Sequence, residues 1–158
     1  MSADHRAIVE QIRSAPAVLA AAVAAVPPGQ HDRPPRAGEW SARETLIHVR
    51  NVIVMVYGLR IRRLLYERDP VFADYDEEAF RREDLARREP VDELVRMITA
   101  EHEQIARLLD GLPADRWERA GRHPERGPMS VASLAGQVGS HTVEHAGQIR
   151  DIARPVTA

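Results

Sequence analysis

Residues 130–152, SVASLAGQVGSHTVEHAGQIRDI, decide the fold. Val131, Leu134, Val138, Ile149 and Ile152 recur at helical steps of three and four. His141 and His145 take the two places in that stripe where the pattern asks for Leu or Val. Ser130 stands before the run as an N-cap, and the helix is expected to end before Pro155. An apolar stripe of this length has to be covered by other elements.

Three more stripes of the same kind precede it. The clearest begins at Ser41, which with Glu44 forms a capping box. It predicts a helix from Ala42 to about Glu67. Leu46, Val49, Ile53 and Val56 line one side, and Val52, Met55 and Leu59 extend the apolar arc. Only Arg43, Arg50 and Asn51 form a polar strip, so this helix is expected at the centre. The first pattern runs from about Asp4 to Val26 through Ile8, Ile12, Ala15, Leu19 and Val23, with Pro16 expected to kink or split it. The third follows Pro90 and carries Val91, Leu94, Ile98, Glu101, Ile105, Leu108 and Leu112.

The connections are equally distinct. Residues 27–38 contain four prolines and two glycines and read as a loop. Residues 69–89 are highly charged, anchored by Tyr75 and Phe80, with a short helix expected from Asp76. Residues 111–129 read as irregular, with one turn near Ala114–Glu118. No internal repeat and no alternating strand pattern is visible. The expectation is a single all-α domain over 1–158. It is a four-helix bundle with short extra helical turns and a second connection long enough to be a crossover.

Composition narrows the function. The chain of 158 residues has no cysteine and seven histidines. This excludes disulfides, a thiolate zinc site and a cysteine nucleophile. Any transition metal falls to histidine and carboxylate. All 22 basic side chains are arginine, which excludes a lysine Schiff base. With 24 acidic residues the net charge is −2, and aromatic residues make up 4%. Both argue against a dedicated nucleic-acid binder unless the arginines cluster on one face. No stretch approaches a membrane span of roughly 18 apolar residues. The short apolar run Ala15–Val26 follows acidic residues, fits a signal segment poorly and reads as helix. The protein is expected to be cytoplasmic.

His141 and His145, four apart, lie on one helix face. They are either satisfied core histidines or a pair of metal ligands. His48, on the border of the second helix's arc, is the natural third ligand, with Glu44 one turn before it. Three imidazoles suit a divalent ion such as Zn or Ni and leave a position open. Glu101, inside an apolar stripe, needs a partner. An arginine is the simplest, a histidine ligand or a general-base role the alternatives. His102 is expected at the stripe's edge and partly exposed, and Glu144 in a surface ion pair. His123, in the loop Gly121–Glu125, is a second acid–base candidate; His5 and His31 read as exposed.

Gly38-Glu39-Trp40-Ser41 with Glu44 and His48 resembles the start of the second helix in the DinB-like (damage-inducible) superfamily. The run from His123-Pro124-Glu125 through Ser130 and Leu134 to His141-Thr142-Val143-Glu144-His145 and Gln148-Ile149 extends the resemblance. It implies a four-helix bundle, usually dimeric, with a metal held by His48, His141 and His145. Many members carry a histidine where this chain has Glu144. Relatives include thiol S-transferases and isomerases that use bacillithiol, mycothiol or glutathione. The resemblance therefore implies a metal-dependent enzyme, a thiol S-transferase or hydrolase-like. It would act on a small molecule, with a low-molecular-weight thiol as cosubstrate. The alternative is a non-enzymatic, metal-binding or stress-related bundle, since a shared fold does not fix a reaction.

Overall fold

The computed structural model describes residues 2–153. The expected domain limits therefore extend beyond it at both ends, and Pro155 lies outside the described residues. Helix α1 (Ala3–Ala24) is capped by Ser2, whose hydroxyl accepts from the His5 amide, and continues through Pro16 without breaking. Pro16 is itself buried, and Val9, Ile12, Leu19 and Val23 turn inward beside it. By length and composition α1 is apolar enough to cross a membrane, although the sequence pattern suggested no such stretch. Its apolar stripe instead packs against the bundle's other helices.

The second pattern forms one rod in three parts: α2 (Ala42–Asn51), a π-helical turn (Val52–Gly58) and α3 (Leu59–Tyr66). The capping box at Ser41 and Glu44 is formed as expected. Then come α4 (Glu77–Arg87), α5 (Val91–Leu109), the short α6 (Ala114–Trp117) and α7 (Val131–Ala153). Asp76 caps α4 by accepting from the Ala79 amide. Ser130 Oγ accepts from the Ser133 amide at the start of α7.

Specific contacts fix the helix directions. Arg13 of α1 pairs with Asp110 at the end of α5, so these helices run antiparallel, with Val23 beside Val91 at the other end. Along the rod, Arg43 bonds the Glu89 carbonyl while Arg62 bonds Glu101, so the rod and α5 run parallel. His48 meets His141 and His145, and Tyr57 meets Gln137, so the rod and α7 are antiparallel. Two parallel neighbours joined in sequence need a return path, and the connection holding α4 supplies it. The second connection is thus a crossover, as its length suggested.

Two expectations fail. Residues 120–130 are not irregular throughout: β1 (Ala120–His123) and β2 (Gly127–Ser130) pair antiparallel, with Gly127 at φ 74°. Each strand is four residues long and β2 includes Pro128, so no alternation could announce them. The hairpin holds the crossover's start, because Phe72 donates to the Arg122 carbonyl and Arg122 to that of Pro70. His5 and His31 are half-buried, and His5 stacks on Trp117 with centroids 4.1 Å apart.

His102 is a third correction. It is fully buried, not at an edge. Its Nδ1 lies 2.8 Å from the Ile98 carbonyl and its Nε2 3.0 Å from Thr142 Oγ1 on α7. A neutral ring satisfies both contacts, donating from Nδ1 and accepting from Thr142. Burial holds its pKa below the usual histidine value. The unfolded chain therefore takes up the proton first, and His102 costs stability as pH falls below about 6.5. The stability advantage of the wild type over His102→Gln should accordingly shrink between pH 7 and pH 5 in denaturant unfolding. A constant gap would contradict this.

Gly58 closes the π-helical turn beside Glu101 of α5. A Cβ there would lie 2.2 Å from Glu101 Oε1 and 2.8 Å from the Ile53 carbonyl. Gly58→Ala has to displace the Arg62–Glu101 pair and should cost about 1–3 kcal/mol. Chemical denaturation measures this, and an unchanged midpoint would count against it.

Candidate metal centre

Two helices supply the candidate site. His48 comes from α2, seven residues beyond the cap; His141 and His145 come from successive turns of α7. His48 Nε2 lies 3.1 Å from His141 Nε2, and His145 Nε2 lies 3.2 Å from the same atom. All three sets of ligand atoms fall within 4.8 Å of one another. A tetrahedral ion bonded to imidazoles at about 2.0–2.1 Å holds its nitrogens about 3.3 Å apart. The two spacings to His141 Nε2 are close to that.

The far sides of the rings support the same reading. Glu77 Oε1, at the start of α4, lies 2.9 Å from His48 Nδ1. Gln148 Oε1 lies 2.8 Å from His145 Nδ1. An oxygen at Nδ1 draws the ring proton there and leaves the Nε2 lone pair facing inward. Two inward lone pairs beside a third imidazole repel unless a proton or a cation lies between them.

Burial discourages protons. His141 is pushed down to about 3 by burial and then by the neighbouring imidazoles of His145, His48 and His102. His48 is lowered chiefly by burial, against an opposing pull from Glu77. Neutral imidazoles are the ligating form, so the residues present fit a divalent ion.

Around the triad, Trp40 packs on the His48 ring at 5.0 Å between centroids, with the Arg81 guanidinium over Trp40. Arg81 also bonds Glu44 Oε1, whose other oxygen closes the capping box. Glu44 is therefore committed to the fold. His48 and His145 line a cleft of about 1250 Å³, together with Arg33, Trp40, Glu77, Gln148 and Asp151.

The acid–base candidates lie elsewhere. Glu101 pairs with Arg62 and packs against Gly58. His123 is buried on β1; its Nδ1 accepts from the Glu125 and Arg126 amides and its Nε2 lies 3.0 Å from Asp74 Oδ1. Neither contacts the three histidines, and both are accounted for by the fold. Glu144 is exposed. Sequence reasoning missed Glu77, which sits 29 residues from His48 with no local pattern to link them. Gln148 was within reach, three residues after His145 and so on the same helix face.

Fold and site together define a helical bundle whose interior carries three histidines able to hold a metal ion. The family model of the DinB superfamily matches residues 11–149, and the chain belongs to that superfamily. A Bacillus cereus (strain 03BB102) protein provisionally named a metal-dependent hydrolase is 27% identical over 146 residues, 92% of this chain and 83% of the relative. A similarly named Bacillus mycoides protein is 28% identical over 144 residues, 91% and 82% of the two chains. Among solved structures, YfiT from Bacillus subtilis superposes with a TM-score of 0.87, covering 98% of this chain and 89% of YfiT at 22% identity. YfiT is described as a probable metal-dependent hydrolase with an unusual four-helix bundle topology. At that identity the likeness establishes the fold.

Oxygen partners on ligand histidines usually contribute 10–100-fold to metal affinity. Glu77→Ala should weaken binding of zinc or cobalt by about that factor, measured by competition with a chromophoric chelator. Affinity equal to wild type would show that the carboxylate plays no part in the centre.

Proposed function

We propose that this chain is a metal-dependent enzyme that activates a small nucleophile for attack on an electrophilic small molecule in the cleft. The observation that carries this reading is the convergence of three imidazoles, two of which, His48 and His145, line that cleft. Closed structural sites use four protein ligands; three leave a position for a reactant. A divalent ion such as Zn or Ni supplies Lewis acidity there, lowering the pKa of a nucleophile.

The chain's own residues do the rest. Glu77 and Gln148 hold the rings of His48 and His145. Trp40 covers His48 from the cleft side and limits water. The Glu77 side chain is 43% exposed on the cleft wall, on the far side of the His48 ring from the converging Nε2 atoms. Two nucleophiles fit: water, giving a hydrolase, or a low-molecular-weight thiol, giving an S-transferase. With no cysteine in the chain, a reacting sulfur has to arrive on a cosubstrate. The same reading makes the protein a cytoplasmic homodimer with a small-molecule substrate, and without nucleic-acid or membrane partners.

Metal analysis of untagged protein should find one divalent ion per chain. Screening electrophiles with and without small thiols then separates the two nucleophiles. His141→Ala should lose the metal and the activity together. Full activity in that variant would defeat the proposal, and a metal-binding protein inactive across the screen would favour a non-enzymatic bundle.

A further inference from the structure

The three ring far sides are not alike. His145 Nδ1 is hydrogen-bonded to Gln148 and His48 Nδ1 has the Glu77 carboxylate as an ion-pair contact at 2.9 Å, whereas His141 Nδ1 is buried with no hydrogen-bond partner among the described residues. With a metal on Nε2, nothing hydrogen-bonded to Nδ1 orients the His141 ring. Besides the two other histidines, the ring packed on it is Tyr57 from the rod, edge-on, with centroids 5.7 Å apart. The Tyr57 hydroxyl is tied in turn to Gln137 Oε1 at 3.1 Å, one turn before His141 on the same helix.

Tyr57 should not be there on a regular helix. It follows His48 by nine residues, which places the two about 180° apart at 3.6 residues per turn. Yet both contact His141. The π-helical turn Val52–Gly58 resolves this. A π turn absorbs one extra residue, so nine positions behave as eight and the angle falls to about 80°. Gly58 ends the turn under the Arg62–Glu101 pair, where a side chain would clash.

We infer that Tyr57, brought round by the π-helical turn, is the positioning residue of His141. The inference rests on the metal-centre reading above and adds to it how the third ligand, lacking a hydrogen-bonded orienter, is aimed. The Tyr57 ring fixes the imidazole by packing, and the hydroxyl fixes the Tyr57 ring by its bond to Gln137.

The test uses cobalt-loaded whole protein and the variants Tyr57→Phe, Tyr57→Leu and Tyr57→Ala, with melting temperature as the check on folding. Tyr57→Ala should lower cobalt affinity at least tenfold and alter the visible d–d spectrum, which reports ligand geometry. Tyr57→Leu does the same while filling the space, should Tyr57→Ala fold poorly. Tyr57→Phe keeps the ring and should stay closer to wild type than to Tyr57→Ala. A folded Tyr57→Leu with wild-type affinity and spectrum overturns the inference.

Failure of the metal-centre reading looks different: the wild type itself would bind no cobalt. The ring contact is then judged in metal-free protein by NMR of the imidazole protons. The His141 ring-current shift should vanish in Tyr57→Leu, and an unmoved His141 signal overturns the inference there too.

Discussion

Arg50 and Asp84 form a buried ion pair, each side chain 9% exposed, with 3.0 Å between Nη2 and Oδ2. Removing one partner of such a pair leaves an unpaired buried charge, typically at a cost of about 3–5 kcal/mol. Here each member has a further partner. Asn51 donates to the same carboxylate oxygen at 2.8 Å, and Glu89 takes the other arm of Arg50 at 3.2 Å. Arg50 and Asn51 make up most of the polar strip on an otherwise apolar helix. The strip is where the crossover docks. With α4 fixed there, its N-terminal end brings Glu77 to His48, and Arg81 reaches Trp40 and Glu44. The surroundings of one ligand are therefore built by a segment distant in sequence and mostly charged.

That dependence follows from topology. The rod and α5 run parallel, so a tight turn cannot join them and the chain has to travel back along the bundle. A connection obliged to be long can also carry side chains to one end of the bundle. The hairpin β1–β2 holds the start of this return by backbone bonds to Pro70 and Phe72, and the buried ion pair holds α4. The return path is thus fixed at two points, with Glu77 between them.

What the sequence revealed followed from regularity. The four long helices were legible because their stripes hold the helical period. Ser41 and Glu44 marked one start, Ser130 another, and the four-residue spacing of His141 and His145 placed both on one face. His48 was legible as a border histidine that gains meaning only beside that pair. The hairpin was hidden because four-residue strands with Gly121, Gly127 and Pro128 show no alternation. The π-helical turn was hidden because a single absorbed residue leaves the apolar pattern almost unchanged. Glu77 was hidden because its contact is long-range and its local context is one acidic residue among many. His102 was misplaced for a related reason. A polar ring next to Glu101 reads as an edge residue, but Thr142 on α7 offers a hydroxyl that lets it sit in the core.

The donor set has a consequence for the proposed chemistry. Three imidazoles bind a metal as neutral ligands, and burial favours that form at His48 and His141. A divalent cation held by them keeps its full charge, with the Glu77 carboxylate beyond the His48 ring to offset part of it. Low local dielectric strengthens whatever attraction remains. Such a centre favours an anionic partner over a neutral one, which is the preference required to hold a nucleophile in its deprotonated form. A fourth histidine or a carboxylate in the set would close the open position or weaken that pull. The chain offers neither at the point of convergence: Glu44 is held by Ser41 and Arg81, Glu101 by Arg62, and His102 by Ile98 and Thr142. With Glu44, Glu101 and His102 each held within the fold, the cluster among the described residues has three ligands, and three is the number that keeps a reactant's place open.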